Sequence, residues 1–404
     1  MTSLTDPPAG SFRLSMLLND TRYRSYTFQA IALAVLIVAF AYLGNNLLNN
    51  LRAAGLNISY DFLGTPAGYD IDQRLIEYDN QDTHGRAAII GILNTLLVAV
   101  LGCITATIFG VLAGVLRLSN NWLVSKLMAV YVEIFRNIPV LIWIIIIYTV
   151  MTAVLPPPNA FRGDTPTSSM LFDLFAFTNR GIYLPAPVWG PGSGVVVATF
   201  IASVIGVVAY RRYATNLLYS TGRLLPMGWP SLVIFLVPSI LVYFVMGQPI
   251  SLDVPALKGF NFQGGIKVGA PLIALWFALS IYTGAFIAEN VRAGIQAVSK
   301  GQTEAAGALG LRPGRIMNLV ILPQALRVII PPLISQYLNI TKNSSLAIAV
   351  GYMDITGTLG GITLNQTGRA IECVLLLMLF YLTISLSISA IMNVYNNTVT
   401  LKER

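Results

Sequence analysis

Apolar and polar positions along this chain fall into long blocks. Uncharged runs extend over residues 25–51, 87–116, 137–155, 181–210, 224–252, 268–288 and 373–401, and an eighth, 328–353, is interrupted by Lys342 alone. A helix crosses a hydrocarbon layer about 30 Å thick with about 20 mostly apolar residues, so each block predicts one span. The run from 181 opens with Pro185, Pro187, Gly190, Pro191 and Gly192, and its helix is expected to begin near Gly194. The pattern predicts an all-α, polytopic membrane protein with about eight transmembrane helices. The first, 28–48, reads as a retained helix, because no small-residue cleavage site follows it.

Composition sharpens this reading. Of 404 residues, 55% are hydrophobic and 10% are charged, with a mean hydropathy of +0.70; a soluble domain carries about 25% charged residues. A soluble enzyme, a disordered tail and a disulfide-stapled secreted domain are thereby excluded. Both cysteines, Cys103 and Cys373, sit in apolar stretches and the single histidine, His84, in a polar loop. No disulfide framework or metal ligand set is expected, and an H-E-x-x-H site is arithmetically impossible. The net charge of +8 is assigned to loops held on the cytoplasmic side of a bilayer, not to nucleic acid.

Eight spans put both termini on one side, and the lysines and arginines choose it. With the N-terminus inside, the inner segments hold fifteen: Arg13, Arg22, Arg24, Arg117, Lys126, Arg211, Arg212, Arg223, Arg292, Lys300, Arg312, Arg315, Arg327, Lys402 and Arg404. The outer segments hold eight: Arg52, Arg74, Arg86, Arg162, Arg180, Lys258, Lys267 and Arg369. Both termini are therefore expected in the cytoplasm. Two long outer segments, 49–88 and 156–193, are either surfaces for a soluble partner or plain connectors. No internal repeat is visible, so an inverted-repeat transporter gains no support.

The inner stretch 290–322 stands apart. Ile295, Val298, Ala305, Ala306 and Leu309 recur at helical spacing, with Lys300, Gln302 and Glu304 turned elsewhere. Gly310 is a natural helix terminator, and Pro313-Gly314 predicts a break. The expected element is a short amphipathic helix, a sharp turn and re-entry into the membrane at Pro323. By itself this describes an interfacial helix on a bilayer surface.

Its residues carry a closer likeness. Glu304-Ala305-Ala306, Gly310 and Ile321-Leu322-Pro323 resemble the EAA loop of ABC-importer permease subunits, with Val320 where that family favours isoleucine. G-I-L-N-T-L-L-V from Gly91, Y-V-E-I-F-R-N-I-P-V-L from Tyr131 and L-P-Q-A-L-R-V-I-I-P-P-L from Leu322 are similar to the histidine and polar-amino-acid subgroup. T-K-N-S-S-L-A-I-A-V-G-Y from Thr341 and N-Q-T-G-R-A-I-E from Asn365 look most like the broad-specificity L-amino-acid permease and its glutamate/aspartate-type relatives. Lys342-Asn343 departs from the lysine-aspartate of many five-span members.

The resemblance implies a type I ABC-importer transmembrane domain. Its five-helix core lies over 86–155 and 268–395, with an extra N-terminal helix at 28–48, an inserted helical hairpin at 194–248 and a cytoplasmic coupling loop at 290–322. It implies a subunit of the bacterial inner membrane that is not itself an enzyme, with ATP and Mg²⁺ bound by an ABC ATPase dimer. A second, homologous but non-identical permease and a periplasmic amino-acid-binding protein complete the assembly in membrane lipid. Glu304, Ala305, Ala306, Leu309 and Gly310 are the implied ATPase contacts. No G-x-x-x-x-G-K-[ST] occurs in the chain, so no ATP phosphate is cradled here by a P-loop.

Ionisable residues within a membrane are functional candidates. Lys342 lies about 28 Å along a helix from Pro323; it either snorkels to the headgroups or attracts an amino-acid carboxylate together with Asn343, Ser344 and Ser345. Glu133 and Arg136, three residues apart, are expected to neutralise each other in preference to contacting substrate. The competing functional class is an ion-coupled secondary transporter or channel, which needs buried carboxylate relays; Glu133, Glu289 and Glu372 sit at segment edges. A membrane-embedded enzyme lacks the nucleophile or metal motifs it requires.

Overall fold

The computed structural model describes residues 16–55, 57–163 and 165–399, and the chain divides into a unit ending at Asp61 and a second beginning at Phe62. In the first, a short turn, α1 (Met16–Asn19), precedes α2 (Thr21–Ala53). With 33 residues, α2 is about 50 Å long, so the predicted 28–48 is its middle. No residue of its most apolar window is buried, as suits a helix solvated by lipid. Of the inner cations counted above, Arg13, Lys402, Arg404 and the Arg22 side chain fall outside the described residues, and with them the placing of the two termini.

The second unit continues with α3 (His84–Arg117), α4 (Trp122–Asn137) and α5 (Val140–Val154). Three short strands follow, β1 (Ala176–Thr178), β2 (Gly181–Leu184) and β3 (Ala186–Trp189), and then the helices α6 (Ser193–Thr221) and α7 (Gly228–Val245). Four further strands, β4 (Ile250–Asp253), β5 (Ala256–Lys258), β6 (Asn261–Gln263) and β7 (Ile266–Gly269), lead into α8 (Ala270–Gln296) and α9 (Lys300–Ala308). The chain ends with α10 (Pro313–Ile316), α11 (Leu322–Asn343), α12 (Leu364–Thr367) and α13 (Ala370–Val399). Among the described residues eight helices are long and apolar enough to cross a membrane, as the hydropathy blocks predict.

The core forms around α8. Leu272, Leu275, Ala278 and Leu279 pack with Val98 of α3, Val140 and Ile144 of α5 and Tyr352; lower down, Ile287 and Val291 pack with Ala106 of α3 and Ile329 and Ile340 of α11. Glycine sets the spacing of α3 from α8. A Cβ at Gly114 would lie 2.7 Å from the Ala288 carbonyl oxygen and 2.8 Å from the Val291 Cβ. Close backbone approach through small residues is how membrane helices gain packing without a hydrophobic driving force between them.

Two features depart from the sequence expectation. Residues 117–136 are not an inner loop: α4 occupies most of them, started by Asn121, whose side chain accepts from the Leu123 and Val124 N–H groups. Its Val132 is buried against Ala113, Ala285 and Ala288, and extended backbone at Ile138 ends it ahead of Pro139 and α5. The segments around 156–193 and 249–269 also contain short strands, which the sequence does not show. β2 pairs antiparallel with both β1 and β7, β3 with β4, and β5 with β6. Four-residue strands without long apolar alternation leave little periodic signal. The α6–α7 hairpin, predicted at 194–248, is thus inserted between the paired strands β3 and β4.

Candidate functional site

The loop between α8 and α11 is built from α8 onwards. Ser299 adopts extended backbone after α8 ends at Gln296, and α9 begins at Lys300. Gly310 stands at φ +78°, with its N–H bonded to the Gly307 carbonyl at 2.9 Å and that of Leu311 to the Ala306 carbonyl at 3.3 Å. This is a Schellman ending, which favours glycine because a side chain is strained in the left-handed region.

The break at residues 297–299 resets the helical phase, and this corrects the single amphipathic face expected from the sequence. Ile295, within α8, and Val298, in the link, pack on the α3–α8–α11 cluster. Within α9 the buried residue is Ala306, at 5% exposure, while Glu304 and Ala305 are exposed. Leu309, read as apolar face, is 82% exposed.

The expected break at Pro313-Gly314 is instead a helix start. Pro313 occupies the first turn of α10, where its fixed φ and missing N–H cost nothing, so the helix resumes ten residues before Pro323. A single wide turn over Met317–Ile321 joins α10 to α11. Pro323 has no N–H to give to the Leu319 carbonyl, and a π-type turn absorbs that gap.

Above α9 lies a group of charges that spans three helices. Glu289 of α8 forms ion pairs with Arg117, the last residue of α3, and with Arg292 one turn along α8. Arg117 also lies 3.7 Å from Glu133 of α4, and its carbonyl accepts from Ser125 at 2.8 Å. The expected Glu133–Arg136 neutralisation is therefore corrected. Glu133 turns to Arg117 and to Asn137, whereas Arg136 lies 5.3 Å from the centre of the Phe286 ring, a cation–π contact.

Toward the other end of α11 the four substrate-path candidates separate. Lys342 is exposed in the last turn of α11; Ser344 is buried and donates to the Thr341 carbonyl at 2.8 Å, and Ser345 donates to that of Lys342 at 2.7 Å. These hydroxyls cap the end of α11. A nearby cavity of about 460 Å³ is lined by Tyr352, Met353, Gly357, Asn365 and Gln366 among others, and by none of Lys342, Asn343, Ser344 and Ser345.

Two buried polar residues escaped the sequence reading. Asp354, fully buried, opens the turn that follows Met353, its Oδ1 accepting the Gly357 N–H at 2.8 Å. Asn94 of α3, also fully buried, donates to the carbonyls of Gln73 and Met353 at 2.7 and 2.8 Å. A helix-capping aspartate one residue after an apolar run is a usable signal for the first. Asn94 lies inside a motif already quoted, but its partners are 21 and 259 residues away.

Comparison with known proteins agrees with this geometry. Residues 194–400 match the family described as binding-protein-dependent transport system inner membrane component. The chain is 54% identical to the glutamate/glutamine/aspartate/asparagine transport system permease protein BztB of Rhodobacter capsulatus, over 100% of both chains. It is 43% identical to the general L-amino acid transport system permease protein AapQ of Rhizobium johnstonii, covering 98% of this chain and 96% of the relative. The putative amino-acid ABC transporter permease protein YhdX of Escherichia coli K12 is 44% identical, with 96% and 98% covered. The chain belongs to the family of inner membrane components of binding-protein-dependent transport systems.

Proposed function

We propose that this chain is one of two permease subunits of an ATP-driven importer of polar L-amino acids in a bacterial inner membrane, and that α9 receives the motion of a separate ATPase. The observation that carries the reading is the construction of α9. It is a nine-residue helix fastened to α8 by a three-residue link and returned to the membrane through α10. Ala306 roots it, and Glu304, Ala305 and Leu309 face outward. Glu304 offers a polar contact, Ala305 admits close approach, and Leu309 supplies an apolar anchor for a groove in the ATPase. Gly310 ends the helix without obstructing that groove.

In this reading ATP and Mg²⁺ bind the ATPase dimer. Two ATPases need two docking helices, and this chain carries one, so a second permease supplies the other. The related Escherichia coli proteins GltJ and GltK are each described as a glutamate/aspartate import permease protein, which supports a non-identical partner. A periplasmic amino-acid-binding protein delivers substrate from the outer side. The name of BztB supports glutamate, glutamine, aspartate and asparagine as the substrates to try first.

The test is purification of the native assembly in mild detergent beside the Glu304→Lys/Gly310→Trp variant. The native chain is expected to bring down a P-loop ATPase and to drive ATP-dependent uptake of labelled L-glutamate in proteoliposomes, while the variant loses the ATPase. Uptake abolished by an uncoupler and indifferent to ATP would overturn the reading in favour of an ion-coupled transporter.

A further inference from the structure

The charges above α9 lie where a push on that helix must enter the core. From Lys300 back to the last turn of α8 there are three residues, and the next charged groups along α8 are Arg292 and Glu289. Arg292 donates to the Gln296 side chain in that last turn and, through Nε, to Glu289 Oε2 at 3.1 Å. The same oxygen of Glu289 takes the Nη1 of Arg117. Arg117 reaches on to Glu133 at 3.7 Å, and its backbone is held by Ser125. Glu289 thus joins α8 to α3, and Arg117 joins both to α4. Arg117, Glu289 and Arg292 are partly shielded, with side-chain exposures of 17%, 23% and 28%, so water screens them less than it would a surface pair; Glu133, 60% exposed, is the outlying member.

Packing already brings α3 and α8 close together. Ile287 and Val291 of α8 sit against Gly110 and Gly114 of α3, with Ala113 and Ala288 beside them. The ion pairs add directional partners to that contact and extend it to α4, which the notches at Gly110 and Gly114 do not reach.

We propose that Glu289 is a positioning residue for transport: the Arg117–Glu289–Arg292 cluster makes the inner ends of α3, α4 and α8 move as one body when α9 is displaced. The inference rests on the reading of α9 as the ATPase contact. Glu289→Gln removes the charge at nearly constant shape and leaves two arginines without their shared acceptor. Arg117→Gln/Glu289→Gln removes both sides of the pair between α3 and α8, and the additional loss is the 3.7 Å approach of Arg117 to the exposed Glu133. If the cluster acts as a unit, the double variant is no worse than the single, because the second change removes a contact already lost.

The experiment uses the complete ATPase–permease assembly in proteoliposomes with its binding protein and radiolabelled L-glutamate, measuring uptake and ATP hydrolysis together. Glu289→Gln is expected to retain the bound ATPase and basal hydrolysis, while L-glutamate imported per ATP falls about tenfold and falls no further in the double variant. A merely structural ion pair would lower the unfolding temperature and leave uptake per ATP unchanged, and that result overturns the proposal. Loss of the ATPase from both variants also overturns it, since the cluster would then be building the docking surface. Native assemblies that import L-glutamate without ATP would refute the underlying reading instead, an outcome visible before any variant is made.

Discussion

At the scale of single residues, the buried polar groups divide by what they hold. Asp354 is a fully buried capping carboxylate: its Oδ1 takes the Gly357 N–H, and Tyr381 lies at 3.5 Å from its other oxygen. Burial pushes this carboxyl up from its ordinary 3.8 to about 7, against the hydrogen bonds from Gly357 and Thr356 that favour the charged form. The sign of the pH dependence follows. The folded state keeps the proton over a range in which the unfolded chain has lost it, so this group's contribution is full below about pH 4 and is lost as pH rises through 7. From those two values the loss is on the order of 4 kcal/mol. Asp354→Asn keeps an oxygen for Gly357 and cannot ionise. Its unfolding temperature in detergent is expected to fall less than that of the native chain between pH 5 and pH 8, and identical slopes for the two proteins would refute this account.

At the scale of elements, what could be read in the sequence follows what each element uses as solvent. A transmembrane helix is selected by lipid, so α3, α8 and α13 announce themselves as uncharged runs whatever they pack against. Helix ends marked by Gly310 or Pro313 are local chemistry, and their positions were legible although Pro313 begins a helix where a break was expected. Glu289 and Arg117 are 172 residues apart, and no local rule pairs them. The near neighbours Glu133 and Arg136 suggested a pair, but each meets a residue of another helix instead, Arg117 of α3 and Phe286 of α8. The short strands were hidden because three or four residues carry no period.

The same reasoning gives a prediction about the hairpin. α6 packs chiefly on α7, through Phe200 against Phe235 and Gly206 against Ile234. Arg211 adds a bond to Ser231, and Tyr210 one to the Pro226 carbonyl. Both ends of the hairpin leave from adjacent strands, where Trp189 faces Ile250. Replacing residues 190–249 by Asn-Gly, which closes a two-residue turn, is therefore expected to leave a chain that inserts into the membrane and still brings down its ATPase. Loss of the ATPase from this chain would show that the hairpin builds the core.

At the scale of the whole molecule, sidedness ties every functional statement together. If α9 meets an ATPase it lies in the cytoplasm, and from there alternate spans put the β strands outside and the turn between α6 and α7 inside. The structure supplies well-exposed reporters on each side: Phe260, 88% exposed in the turn between β5 and β6, Tyr219, 84% exposed near the end of α6, and Leu309, 82% exposed beside Gly310. The two native thiols are half-buried Cys103 and buried Cys373, so serine at both gives a background without reactive sulfur. On that background Phe260→Cys is expected to react with a membrane-impermeant maleimide in intact spheroplasts. Tyr219→Cys and Leu309→Cys should react only once the membrane is opened. Leu309→Cys carries a second test, since a bound ATPase would shield it while Tyr219→Cys stays open. Labelling of Tyr219→Cys from outside would invert the molecule. The fifteen-to-eight division of basic residues would then have misled, and α9 would stand on the wrong side of the membrane to meet any ATPase.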